Sequence, residues 1–273
     1  MLSEIQGLPI RELSRLTGVN SITLRAWERR YGLLKPQRTA KGHRLFQAQD
    51  IERVKNILYW LQRGISVGQV REYIDREHLP DVAPIWQEHI QQFQRWLNTL
   101  NISALDNACQ ALFALYPEAV LAEHFFRPLL RSCQPRQYEH ALLQQLLIGK
   151  LQLRLLNQRP SNSAACILVL NIDHICSPLH ALLLSLLLQQ QGYACKTIGL
   201  PCHSADIPAL LSSSQANALL LTCDTAIDTE FLHSLNLPVF IYGDATALNP
   251  ALQSYALSAD YNQAITTISG EIK

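Results

Sequence analysis

Charge is scarce in this chain. Only 16% of its 273 residues are Asp, Glu, Lys or Arg, against about 25% in an average soluble protein. Hydrophobic residues make up 48%, enough to build sizeable cores and to exclude a largely disordered polymer. Long apolar runs are missing too. The most apolar stretch, Leu179–Leu188, is interrupted by His180 and Ser185, and a membrane-spanning helix needs about 20 apolar residues. No membrane span is therefore expected. The opening segment MLSEIQGLPIRELSRL lacks a basic stretch followed by an apolar run, so no secretory leader is expected. The 7 cysteines are odd in number and form no CxxC pair. Reduced thiols in the cytoplasm are the simplest expectation. Cys195, Cys202 and His203 match no common zinc spacing, and packing rather than a metal is expected there. Ser-His-Asp spacing and a phosphate-cradling glycine loop are also missing, so an enzyme is not expected.

What is present is an uneven distribution of charge. The formal net charge is +1, but it averages two opposite halves. Residues 1–80 hold 14 Lys and Arg against 8 Asp and Glu, a net of +6, while residues 81–273 hold 9 against 14, a net of −5. A basic head on a mildly acidic body points to a polyanion-binding module joined to something else.

Three blocks follow one another. In the first, residues 1–78, Pro9 suits a first helical position ahead of Ile10, Leu13 and Leu16. Gly18-Val19-Asn20 reads as a tight turn before a helix over Ser21–Tyr31. Gly32, Pro36 and Gly42 then break the chain into a loop with one or two short strands. Asp50 and Ser66 are candidate caps for two further helices, the second over Val67–Ile74. A proline-containing segment, residues 78–84, reads as a linker. The second block, residues 85–157, carries apolar residues every three or four positions, among them Leu105, Cys109, Leu112, Leu143, Leu147 and Leu151. Four helices in a small bundle are expected. Residues 158–164 read as a second linker. The third block, residues 165–273, alternates β-like runs with helical patterns. The runs are Cys166–Leu170, Ala194–Ile198, Ala218–Thr222, Pro238–Tyr242 and, more weakly, Tyr255–Leu257. They predict a five-stranded, flavodoxin-like parallel sheet covered on both faces.

The whole basic excess of the head lies between Arg25 and Arg44. Arg25, Arg29, Arg30, Lys35, Arg38, Lys41 and Arg44 face a single acid, Glu28. Helix–turn–helix followed by a basic, glycine-containing loop is the layout of a winged helix-turn-helix that reads duplex DNA. Arg25 and Arg29 are one helical turn apart, and guanidinium groups fork onto guanine edges or phosphates. A run of arginines on a solvated helix face is the bland alternative. Trp27 has two readings, core or contact, and core is the expectation.

The segment ITLRAWERRYGLLKPQRTAKGHRLFQAQDIERVKNI resembles the N-terminal domain of MerR-family regulators, over about residues 7–76. The resemblance implies that Thr23, Arg25, Arg29, Arg30 and Tyr31 belong to the recognition helix, and Arg38, His43 and Arg44 to the wing. It also implies a homodimer on a two-fold-related site, and an activator that works with RNA polymerase by deforming its promoter.

A MerR-like head, a helical bundle and a five-stranded α/β domain together resemble the cobalamin-binding branch of that family, which includes light-responsive repressors. Cobalamin domains carry a D-x-H-x-x-G motif after the first strand, its histidine ligating cobalt. Anchored on Gly192-Tyr193, the histidine position falls on Ser177 and the glycine on His180. His174 takes the ligand's place only if the loop is re-registered. The later glycine pair, which lets the nucleotide tail lie against the fourth strand, reads Tyr242-Gly243. Glu139-His140 matches a pair that faces the upper side of the corrin, or is simply a solvated helix face. The capping Trp that precedes the pair is missing, since no Trp occurs between Leu97 and Tyr138. The expectation is a retained scaffold without a cofactor, serving dimerisation and reception of a signal or a regulatory protein partner. The alternative is a cobalamin-dependent repressor using His174, Ser177, Glu139, His140 and Gly243. Asp173, Asp224 and Asp244 at strand ends resemble a phospho-receiver pocket, or merely cap helices. The lysine a receiver needs is lacking, because only Lys196 and Lys273 follow Lys150. Corrinoid methyl carriers share the bundle and α/β body, but they have no DNA-reading head.

Overall fold

The computed structural model describes residues 7–74, 85–134, 137–157 and 164–272. Both expected linkers fall almost wholly outside these residues. The chain divides into two compact units, Met1–Leu143 and Gln144–Lys273.

The first unit opens with a short strand β1 (Leu8–Pro9) and helices α1 (Ile10–Thr17) and α2 (Ser21–Tyr31). Pro9 ends β1 and caps α1 rather than entering it. The turn between the helices has Gly18 at φ +67°, a left-handed conformation that glycine adopts without steric penalty. Asn20 then caps α2, its side-chain oxygen accepting from the N–H groups of Ile22 and Thr23 at 2.9 Å each. A hairpin of β2 (Gln37–Arg38) and β3 (Arg44–Phe46) follows, and β1 pairs with the outer side of β3. At the hairpin tip Gly42 has φ +81°, and its N–H donates to the Thr39 carbonyl at 2.8 Å. Helix α3 (Ala48–Gln62) has Asp50 in its first turn rather than at the cap, where its carboxylate accepts from Gln47 N–H at 2.7 Å. The last helix of the head, α4 (Val70–Tyr73), is shorter than expected, because residues 67–69 form turns.

The bundle part comprises α5 (Ile85–Asn98), α6 (Ile102–Leu115), α7 (Glu118–Leu121), α8 (Arg127–Ser132) and α9 (Tyr138–Asn157). A π-helical turn, Ala122–Phe126, joins α7 to α8. Phe93, Phe113, Phe125 and Phe126 are buried together. Helix α2 packs on α6, so head and bundle share one unit. Trp27 is fully buried, and its indole N–H donates to the Leu115 carbonyl at 2.9 Å. Glu118 is also buried and accepts from the Asn20 amide at 2.9 Å.

The second unit begins within α9. Its sheet has four parallel strands: β4 (Cys166–Asn171), β5 (Ala194–Ile198), β6 (Ala218–Thr222) and β7 (Val239–Tyr242), in the order β5-β4-β6-β7. The expected fifth strand is not formed. Pro250–Tyr255 wind into a 3-10 turn, leaving one parallel bridge between Ala256 and Ile241. Leu168, Leu170, Leu219, Leu221 and Ile241 face one core, which α11 (Ile207–Ser214) and α12 (Thr229–His233) help to close through Ile207 and Leu232. The alternate residues, among them Val169, Leu220 and Tyr242, are equally buried and point the opposite way. There α10 (Pro178–Gln190) and α14 (Tyr261–Glu271) pack. A short α13 (Ala245–Leu248) follows β7. No helix among the described residues is long and apolar enough to cross a membrane.

Candidate nucleic-acid interface

Helix α2 is two-faced. Leu24 and Trp27 point inward, fully buried, while Arg25, Arg29 and Arg30 are exposed. Thr23 is also fully buried. Its side chain is therefore not on the arginine face. Tyr31, at the end of the helix, is half-buried. Ile22, 66% exposed, lies in the first turn of α2 on the arginine face. Its position three residues before Arg25 is the sequence signal for that placement.

The wing is held against this helix by Glu28. One carboxylate oxygen accepts from Arg44 Nε at 2.5 Å and the other from Arg38 at 3.1 Å. The side chains of Glu28 and Arg44 are only 13% and 20% exposed, so this pair is shielded and geometrically fixed. Arg38 also donates to the Gly42 carbonyl at 3.3 Å, which ties strand to hairpin tip. Between wing and helix lies an open groove of about 240 Å³, lined by Pro9, Ile10, Arg25, Gly42, His43 and Arg44. Arg25 from the helix and His43 and Arg44 from the wing are thus brought to one concavity. A cationic groove beside an exposed helix face fits a phosphate strand running past a helix seated in the major groove.

The body residues are arranged differently. Glu139 and His140 open α9 and are half-buried. In the second unit His174 is exposed on the loop after β4. Ser177 caps α10, accepting from Leu179 N–H at 3.4 Å and from the Gln144 amide at 3.0 Å. Tyr242, next to Gly243, is buried. Its ring stacks on Tyr261 at 5.3 Å and 9°, and its hydroxyl donates to the Ala259 carbonyl at 2.7 Å. His180 Nδ1 lies 2.6 Å from the Tyr261 hydroxyl. Gly243 has φ +126°, and an added Cβ would collide with the Cys223 carbonyl and come within 2.6 Å of the Asp224 carboxylate. Glycine is required there by the protein's own backbone.

Asp173 ties two loops at the carboxyl edge of the sheet. It accepts from Ile175 N–H at 2.7 Å, Cys176 N–H at 2.5 Å, Asp224 N–H at 2.6 Å and Thr225 N–H at 3.0 Å. Burial pushes its pKa up. The hydrogen bonds from Cys176, the Cys223 thiol, Asp224 and Ile175 outweigh burial and bring it down to about 2. Asp224 in turn accepts from Asp244 N–H at 2.9 Å. These acids are consumed in holding loops, and no set of three metal-ligating side chains converges among the described residues. All seven cysteines are free. Burial raises the thiol pKa of Cys176 and Cys195, and that of Cys223 to about 11, so these groups are protonated at neutral pH.

The head is that of a winged helix-turn-helix DNA-binding regulator. Residues 8–77 match the MerR HTH regulatory protein family. Over 111 residues the chain is 30% identical to the HTH-type transcriptional regulator ZntR of Escherichia coli, covering 37% of this chain and 79% of that protein. The chain belongs to the MerR family. It is also 38% identical to the transcriptional regulator MlrA of Escherichia coli over 142 residues, 52% of this chain and 58% of MlrA. It is 28% identical to the transcriptional repressor CarA of Myxococcus xanthus over 127 residues, 46% of this chain and 44% of CarA. The matched segments span only about half the length of these two relatives.

Proposed function

We propose that this regulator binds a two-fold-related duplex site as a homodimer in the cytoplasm, activates transcription with RNA polymerase, and uses its body to receive a protein or small-molecule signal without cobalamin. The observation that carries the DNA-binding part is the groove uniting Arg25, His43 and Arg44 beside the exposed arginines of α2. Phosphates follow the groove and wing, and Arg25 reaches base edges from the first turns of the helix. Arg25→Ala is expected to weaken specific binding by about 1–3 kcal/mol while sparing random duplex. An equal loss on every sequence would move Arg25 to the backbone. A single protected half-site with a monomeric complex would overturn the dimer.

Support for cobalamin independence comes from the second unit. The place beside β7 where a nucleotide tail would lie is occupied by Tyr242, Tyr261 and His180, which are mutually packed. The histidine position holds Ser177, a helix cap and a poor cobalt ligand. His174 is displaced along an exposed loop. These residues do not fit the cofactor. Mixing the full chain with adenosyl- or methylcobalamin in the dark, desalting, and recording the visible spectrum is expected to leave no bound corrin. A retained, light-sensitive spectrum that shifts on His174→Ala would establish the cobalamin-dependent repressor instead.

A further inference from the structure

We infer that Ile22 reads DNA sequence by packing against the C5-methyl group of a thymine. The inference deepens the proposed function and rests on α2 being the helix in the major groove. An α-helix turns about 100° per residue, so Ile22, Arg25 and Arg29 occupy one face, with Ala26 and Arg30 beside them. Arg25, Arg29 and Arg30 are exposed, and Ile22 is 66% exposed. The opposite face, Thr23, Leu24 and Trp27, is fully buried. A single exposed isoleucine elsewhere on the molecule would need no explanation. Here it is the only large apolar side chain on a face whose other long side chains are all arginine, a face suited to a polyanion.

Its place along the helix is equally specific. Ile22 lies in the first turn of α2, and recognition helices address base edges with their N-terminal residues. The turn is held rigidly. Asn20 accepts from the N–H of Ile22 and of Thr23, and its amide is bound in turn by buried Glu118. The major-groove edges of G, C and A present hydrogen-bonding groups, and thymine alone adds a methyl group. Isoleucine has no donor or acceptor in its side chain, so thymine is the base it can favour. Arg25, one turn on, supplies the polar contact to a neighbouring base pair or phosphate.

The test uses the full chain and a duplex selected with it from a randomised library. Each thymine of that duplex is replaced singly by deoxyuridine, which removes only the methyl group. For the native chain, one thymine per half-site is expected to weaken binding about fourfold on replacement, the effect of burying one methyl group. With Ile22→Ala that penalty should disappear, and Ile22→Val should retain part of it. Because Ile22 is exposed, neither substitution empties a core, and an unchanged thermal transition verifies the fold. A deoxyuridine penalty of equal size in Ile22→Ala, or no methyl-sensitive thymine at all, overturns the inference. Arg25→Ala is the parallel control. If it abolishes specificity while the methyl test fails, only the role of Ile22 is lost. If neither substitution changes specificity, α2 is not the reading helix and the proposed function falls with it.

Discussion

Glu28 sits among seven cations between Arg25 and Arg44 and neutralises two of them. Its position in the sequence marks it as an exception, and its bonds explain it: it spends two lone-pair sites to fix the wing. Glu28→Ala should therefore separate two effects. Arg38 and Arg44 become free for phosphates, so binding to random duplex should strengthen severalfold at low salt. The wing loses its orientation, so specific binding should weaken about tenfold, in line with the loss of charge-assisted hydrogen bonds. Fluorescence anisotropy on both duplexes at several salt concentrations measures this, and a parallel rise on both would show that Glu28 is only a counter-charge. The residue scale also shows where pattern reading reaches its limit. The arginines were legible from charge and helical spacing. The burial of Thr23 was not, because a family motif assigns residues to a helix but not to one of its faces.

At the scale of elements, helix α2 is tethered to the bundle from behind. Trp27 donates to Leu115, a carbonyl in the last turn of α6 that no residue within the helix can satisfy. Trp27→Phe keeps most of the buried ring and deletes that bond. It should lower the stability of the first unit by about 1–2 kcal/mol, the effect of stranding a buried acceptor plus a small cavity. Denaturant unfolding checks the size, and a change below about 0.3 kcal/mol would mean that water replaces the indole. In the second unit, Asp173 has its pKa lowered to about 2. A depressed carboxylate stabilises the fold above its unfolded pKa, near 3.8, and that contribution is lost as pH falls through about 2. Asp173→Asn should cost about 2 kcal/mol at neutral pH and flatten the loss of stability between about pH 4 and pH 2. Thermal melts across that range would refute the role if native chain and variant ran parallel. Four strands were readable as apolar runs bounded by turns. The fifth was not, because Tyr255–Leu257 is short and the preceding Pro250 favours a turn over an extended entry.

Over the whole molecule, the split of charge becomes a quantitative expectation about assembly. The sequence divides into three blocks by composition, while the fold makes two compact units, with head and first bundle helices in one. The packing of α2 on α6 was not legible, since nothing in the pattern of Trp27 or Asn20 names a partner some 90 residues away. The charge, by contrast, was legible throughout, because net charge does not depend on packing. Arg29, Arg30, Lys35 and Lys41 are exposed beside Arg25, while Arg38 is held by Glu28. With Arg25 on a base, about four cations per head remain for phosphates. Each neutralised phosphate steepens the decline of log K with log salt by about 0.9. A homodimer on a two-fold site should therefore approach a slope of about −7, and a single head about −3 to −4. The acidic body, at −5, is expected to add nothing to the slope. Titrations between about 50 and 200 mM salt span the range in which such slopes are read. A slope near −4 with a two-fold operator would mean that only one head engages DNA at a time. The basic excess of one chain would then be enough for encounter but not for the two-fold grip that the proposed activator requires.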